Sequence, residues 1–293
     1  GLGDVYKRQF IGTLEPIWHV GARPVLVDVD PKYYTMDPTK IEDKISPNAK
    51  AIMPVHLYGH PADMDPIKEI AERKGLWVIE DACQSHGAEY KGEKTGCLGD
   101  VAAFSFQTSK NMTVLGDGGM VVTNDDEIAE KIRLLRDHGR RREVLYYSEI
   151  VGYNYRLGEI KAAIGRVMLR HLNEWNRKRR EIAKIYNEKF EELNKIVPPS
   201  EAEWAYHVYY RYVILSPEGK INRLKEWLKS QGISTASYFS CHKQKVWLDR
   251  EKPVSLPITE RLDQQLISLP MFPELSEREI DYVVSKVKEF FSK

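Results

Sequence analysis

The chain has 293 residues, enough for about two domains at roughly 100–200 residues each. Lysine and arginine total 44 against 43 aspartates and glutamates, a formal net charge of +1, which excludes global electrostatic recruitment to nucleic acid or to an anionic membrane. No apolar run reaches the ~18 residues of a membrane span, and the odd cysteine count (Cys83, Cys97 and Cys241) argues against a disulfide framework, so the cytoplasm is the expected compartment.

Residues 1–9 have neither the apolar core nor the cleavage site of a signal peptide. They read as a non-native leader running straight into the middle of a domain. The first expected strand is 24–28, a β-branched run ending in an acid, and the second is 51–55. Between it and a third strand at 76–79 lies a helical stretch, 64–74, with Ile67, Ile70 and Ala71 on one face and Gly75 as its stop. Strand, helix and strand with short connections predict a parallel sheet. Further strands are expected at 101–106 and 120–123, then a helix over 125–138 capped by Asn124 or Asp125. Residues 158–195 predict one or two long helices whose Arg177–Arg180 run is a solvated face. An alternating strand at 206–215, a helix near 222–230, a β-like stretch at 233–238 and a helix at 277–291 complete an α+β unit.

Active sites of open α/β sheets lie beyond the carboxyl ends of the strands. Two such ends carry chemistry: Asp81 follows one strand, and Ser105, Thr108, Ser109 and Lys110 surround another. A free lysine titrates near 10.4 and becomes a useful nucleophile or base only when its environment brings that value to about 7–8. Alone, Lys110 reads as a surface lysine and Asp81 as a turn cap. Together they suggest pyridoxal phosphate, which needs a lysine for its aldehyde and a carboxylate for its ring nitrogen.

The motifs Glu80-Asp81-Ala82-Cys83-Gln84-Ser85-His86-Gly87, Phe104-Ser105-Phe106-Gln107-Thr108-Ser109-Lys110-Asn111 and Gly116-Asp117-Gly118-Gly119-Met120 resemble the DegT/DnrJ/EryC1/StrS sugar aminotransferases. Pro54-Val55-His56-Leu57-Tyr58-Gly59, Gly152-Tyr153-Asn154-Tyr155-Arg156 and Leu269-Pro270-Met271-Phe272-Pro273 extend the resemblance over nearly the whole chain from Phe10. It implies an α/β large domain of pyridoxal-phosphate fold type I over 10–175, with a smaller α+β domain over 176–293. It also implies that the family begins about 70–90 residues earlier, with a turn and helix N-terminus that hold the cofactor phosphate. On that reading this chain is truncated, and would bind cofactor weakly or expose sheet surface.

By the resemblance, Lys110 carries the cofactor and moves the proton, and Asp81 holds the ring nitrogen. Gln84 lies against the ring, Ser105 binds the phosphate, and Asn154 reaches the phosphate across a homodimer interface. His86 sits beside the ring. The implied substrates are a nucleotide-linked keto sugar and an amino-acid donor, glutamate by analogy. Lys110 favours transamination over the dehydration run by relatives with histidine there. Dehydration, cyclitol transamination and a non-catalytic regulatory role stay open.

Arg140 begins a run of three arginines that fits either a nucleotide diphosphate or a solvated loop. Tyr238 and His242 lie where the family's small domain approaches the sugar. His56 and His60 are four apart, but Pro54 and Pro61 bracket them, so a metal site is not expected. Trp204 and Tyr206–Tyr212 read as core strand rather than as a stacking platform.

Overall fold

The computed structural model of the chain describes residues 3–6, 11–141, 146–216, 219–237 and 240–292. Strands β1 (Gly3–Tyr6) and β2 (Arg23–Leu26) pair in parallel around the short helix α1 (Glu15–His19). The next unit is β3 (Ala51–Ile52), helix α2 (Met64–Lys74) and β4 (Trp77–Asp81), with β3 and β4 parallel. Helix α2 buries Met64, Ile67, Ile70 and Ala71, and Gly75 ends it at φ 64°, a backbone conformation that costs glycine nothing. A hairpin of β5 (Glu89–Tyr90) and β6 (Glu93–Lys94) follows.

Strand β7 (Val101–Ser105) joins β4 in parallel, and β8 (Gly119–Thr123) returns antiparallel, giving the order β3–β4–β7–β8. A parallel return would need a crossover of a dozen or more residues, usually helical. Here residues 106–118 form a non-helical loop between the two strands, closed at its base where Phe106 N–H bonds the Gly118 carbonyl at 2.8 Å, so β8 returns beside β7 antiparallel. Helix α3 (Asp126–Arg136) starts where the Asp125 side chain accepts from Ile128 N–H at 2.9 Å. The 158–195 periodicity resolves as a single helix, α4 (Glu159–Phe190), of 32 residues, about 48 Å long at 1.5 Å per residue.

The remaining chain adds β9 (Ala205–Tyr206), β10 (Tyr212–Leu215), α5 (Ile221–Ser230), α6 (Lys245–Leu248), α7 (Pro257–Asp263), β11 (Leu266–Leu269) and α8 (Glu277–Ser292). The expected continuous strand over 206–215 is two strands, because Tyr209 takes a left-handed φ of 43° between them. Within 233–237 the β-like stretch reduces to one bridge, Ala236 to Ser268.

Two hydrophobic clusters are the largest among the described residues. Val27, Ile52, Ile67, Val78 and Leu98 fill one beneath the sheet. Tyr186, Phe190, Tyr212, Leu224 and Val287 fill the other, against the carboxyl half of α4. Strand β9 pairs with β5 and so joins the late chain to the β5–β6 hairpin as a separate three-stranded sheet. Buried Asp28 joins early and late chain again: it accepts from Ile258 N–H, Thr259 N–H and the Thr259 hydroxyl at 2.7–2.9 Å, capping α7 from across the sequence.

Candidate active site

Asp81 ends β4 and Ser105 ends β7, and the register pairs Asp81 with Ala103. Both side chains therefore emerge at one edge of the sheet, as the position of strand ends in open α/β sheets requires. They line a cavity of about 760 Å³ together with Gln84, Lys110, Tyr210 and Arg211.

Asp81 is buried and oriented from two sides. Its Oδ2 accepts from the Thr13 hydroxyl at 2.6 Å, and its Oδ1 from Cys83 N–H at 3.1 Å. These bonds fix the carboxylate while one face stays on the cavity. The next wall is Gln84, whose Oε1 accepts from Tyr58 N–H at 2.9 Å. A backbone N–H can only donate, so this contact turns the amide's two N–H groups the other way. Cys83 also lines the cavity, but burial and the neighbouring Asp81 carboxylate push its thiol pKa far up, which removes it as a nucleophile.

The 107–110 loop is held by its own side chains. Gln107 Oε1 accepts from Ser109 N–H at 2.8 Å and from the Ser109 hydroxyl at 2.6 Å, and Lys110 N–H bonds the Gln107 carbonyl at 2.9 Å. Lys110 Nζ lies 4.8 Å from the centre of the Tyr210 ring. The Tyr210 hydroxyl is 3.0 Å from Ser109 Oγ and accepts from Arg211 Nη2 at 3.4 Å. Burial alone would raise the Tyr210 phenol. The charges of Lys110 and Arg211, with the hydrogen bonds shared with Ser109 and Arg211, outweigh it and hold the phenol below its ordinary value.

Other expected residues lie elsewhere. His86 is buried between Phe104 and Phe106, with ring centres at 5.3 and 6.0 Å, and it does not line the cavity. Burial, with Lys110 as a second cause, lowers its pKa to about 4, so it stays neutral. Arg140 donates to Asp137 at 2.8 Å, and Arg156 donates to the same carboxylate. That pairing, led by Arg140, holds Asp137 down at about 2. Asn154 bridges to Asp137 and lies on an exposed surface beside Tyr155 and Lys161. His242 is buried 3.4 Å from Glu260, away from the cavity lining. Tyr238 lies outside the described residues.

His56 and His60 are structural. His56 Nδ1 accepts from Ala62 N–H at 3.0 Å, so Nε2 carries the proton it shares with Glu80 at 2.8 Å. His60 accepts from Ala202 N–H at 3.1 Å. Among the described residues no group of three or more metal-ligating side chains comes together.

Among the cavity residues that the sequence reading did not name as site residues, Thr13, Tyr210 and Arg211 carry polar groups that bear on the chemistry. Nothing local marks Thr13, which meets Asp81 across 68 positions. The other two stood in a stretch taken for core strand. Its available signal was an arginine among the buried tyrosines of 209–212, since a charged group is seldom taken fully into a core.

Residues 5–288 match the DegT/DnrJ/EryC1/StrS aminotransferase family. A protein named pleiotropic regulatory protein from Geobacillus stearothermophilus is 45% identical over 287 residues, 96% of this chain and 76% of the relative. A UDP-N-acetyl-3-dehydro-alpha-D-glucosamine 3-aminotransferase from Acidithiobacillus ferrooxidans is 41% identical over 281 residues, 95% of this chain and 74% of the relative. The crystal structure of DesV from S. venezuelae, solved in complex with a ketimine intermediate, superposes with a TM-score of 0.95 at 36% identity, covering 100% of this chain and 79% of that one.

Proposed function

Since the chain belongs to the DegT/DnrJ/EryC1/StrS aminotransferase family, we propose that it is a pyridoxal 5′-phosphate-dependent aminotransferase that moves an amino group from an amino acid, glutamate foremost, to a nucleotide-linked keto sugar. The carrying observation is that Lys110 and Asp81 line one cavity beyond the ends of adjacent parallel strands. The relatives' sugar-nucleotide activities support the substrate class.

The residues present fit the cofactor. A cavity of about 760 Å³ is within the usual 300–1,000 Å³ of small-molecule sites. It offers an amine, an oriented carboxylate, a Gln84 amide fixed by Tyr58, and the hydroxyls of Ser105 and Ser109. When bound, the cofactor supplies the electron sink for a carbanion.

The chain's own groups do the rest. Lys110 would hold the aldehyde until the donor's amine displaces it, and the freed Nζ would then take the proton that leaves the donor's α-carbon and return it. Asp81, fixed by Thr13 and Cys83, would keep the ring nitrogen protonated. Gln84 would hold the ring and Ser105 the phosphate. Asn154 serves the neighbouring site of a homodimer. The exposed apolar groups around it support such a partner: Tyr155 is 71% exposed, Ile160 80% and Val151 94%. Among the described residues no helix is long and apolar enough to cross a membrane, and three free cysteines suit the cytoplasm.

The test is an absorption spectrum of the chain with pyridoxal phosphate, followed by glutamate and then by a nucleotide keto sugar, with the product identified by mass. A cofactor spectrum that responds to glutamate and yields an amino sugar is expected. A second reading, a regulatory protein that keeps the fold, is favoured by the name of the 45% identical relative. It predicts no response to glutamate.

A further inference from the structure

The backbone between β9 and β10 is the most constrained part of the cavity wall. Tyr209 is buried with a φ of 43°, and Tyr58, facing it from the other segment, has a φ of 58°. Left-handed conformations at bulky residues cost of order 1–3 kcal/mol each and persist only where their surroundings enforce them. Here they do. Tyr209 N–H bonds His207 Nδ1 at 3.2 Å, and buried Arg179 donates to the Tyr209 carbonyl at 3.3 Å and the Met271 carbonyl at 2.9 Å. Val208 N–H bonds the Gly59 carbonyl at 3.0 Å, and Arg211 N–H bonds the Tyr58 carbonyl at 3.2 Å. The segments touch so closely that a Cβ on Gly59 would lie 2.9 Å from Tyr210 N.

The result of this bracing is that two consecutive residues, Tyr210 and Arg211, both reach the cavity. In a regular strand, successive side chains point to opposite faces. The left-handed turn at Tyr209 breaks that alternation. The Arg211 guanidinium lies over the Tyr210 ring, 4.9 Å from its centre, and Lys110 Nζ is 4.8 Å from the same centre. This wall is cationic, whereas the carboxylates of Glu80 and Asp81 on the other wall are already engaged by the protein's own donors.

We propose that Tyr210 and Arg211 form an anion-receiving corner of the Lys110 cavity, and that its ligand is a carboxylate of the amino-acid donor. This rests on the aminotransferase reading. A guanidinium fork matches a carboxylate's two oxygens, and the Tyr210 ring and hydroxyl hold that guanidinium in place. Reach selects the donor over the sugar nucleotide. An α-carboxylate carbon lies about 2.5 Å from its amino nitrogen, so an amine reacting beside Lys110 keeps its carboxylate within the reach set by the 4.8 Å from Nζ to the Tyr210 ring centre, over which the Arg211 guanidinium also lies. A sugar's diphosphate is held away from its reacting carbonyl by the sugar ring.

The experiment measures calorimetric binding of two unreactive probes, glutarate and uridine diphosphate, to the chain supplied with pyridoxal phosphate. Wild type is compared with Arg211→Gln, Arg211→Lys and Tyr210→Phe, each checked for folding by thermal melting. Arg211→Gln is expected to weaken glutarate by about tenfold or more, the loss of a charged hydrogen-bonding pair, and to leave uridine diphosphate unchanged. Arg211→Lys and Tyr210→Phe should weaken glutarate by less, and they carry the test should Arg211→Gln not fold. Unaltered glutarate binding in the folded variants, no glutarate binding by wild type, or loss of uridine diphosphate instead, overturns the proposal. Glutarate binding that depends on Arg211 in a chain unresponsive to glutamate would sink the aminotransferase reading and keep the corner.

Discussion

The floor of the cavity and the outer face around Asn154 are built in opposite ways. On the floor, polar groups are buried and answered by the chain itself. Glu80 is fully enclosed, yet it accepts from Gly96, Leu98 and Gly99 N–H at 2.7–2.8 Å and from His56. On the outer face, Tyr146, Val151, Tyr155 and Ile160 are largely exposed, and Tyr155 and Ile160 line one surface with Asn154. A region that satisfies itself is a preorganised site. A region that does not is a surface awaiting cover. The difference separates the residues proposed to do chemistry within one protomer from Asn154, proposed to act across two.

The hardest test of the floor is Lys110→Ala. Losing a positioned proton carrier costs about 10²–10⁴-fold, and losing the cofactor's attachment adds to that, so transamination should vanish in a turnover assay. Asp81→Ala comes next. Removing a charged hydrogen-bonding partner costs ~1.5–3 kcal/mol, about 10–10²-fold, and it should fall on kcat rather than on the donor's KM. On the outer face, Ile160→Asp should turn a dimer into a monomer by light scattering while leaving the cofactor spectrum in place. A monomeric wild type would remove the contrast altogether.

Glu80→Gln probes the floor's stability rather than its chemistry. Taking the charge from a buried carboxylate held by hydrogen bonds costs about 1.5–3 kcal/mol, readable as a lower melting temperature. Burial alone would raise the Glu80 pKa, but His56 and the glycine N–H groups hold it below the usual 4.5. Its stabilisation is therefore full above that unfolded value and fades as pH falls through the lower folded one.

The smallest expected effect concerns the buried histidines. His60 and His86 are held down at about 4, and His207 lies well below 6.5, chiefly by burial. Below pH ~6.5 the unfolded chain takes protons that the folded chain refuses, so stability falls with pH until the folded values are reached. His86→Leu should reduce that slope between pH ~6 and ~5 by about 1.4 kcal/mol per unit. An unaltered slope in urea titrations would mean His86 titrates normally.

Much of the floor was legible because its parts are local. Asp81 and Lys110 sit at the ends of strands that the apolar runs mark, and glycines mark the turn after them. Helix α2 was readable from Met64 to Gly75 for the same reason. What stayed hidden depended on distance or on backbone strain. Thr13 reaches Asp81 through the fold alone. Tyr210 and Arg211 look like alternating strand until Tyr209 turns left-handed. His86 stands in the same motif as Asp81 and Gln84, but the chain turns it between two phenylalanines instead.

The central claim is that Lys110 is the residue that takes the cofactor. The most direct measurement is borohydride reduction of the chain mixed with pyridoxal phosphate, followed by peptide mass mapping. The account predicts one dominant pyridoxyl adduct, on Lys110, that glutamate added before reduction removes. Labelling scattered over surface lysines, or an adduct on another lysine that glutamate leaves in place, would contradict it.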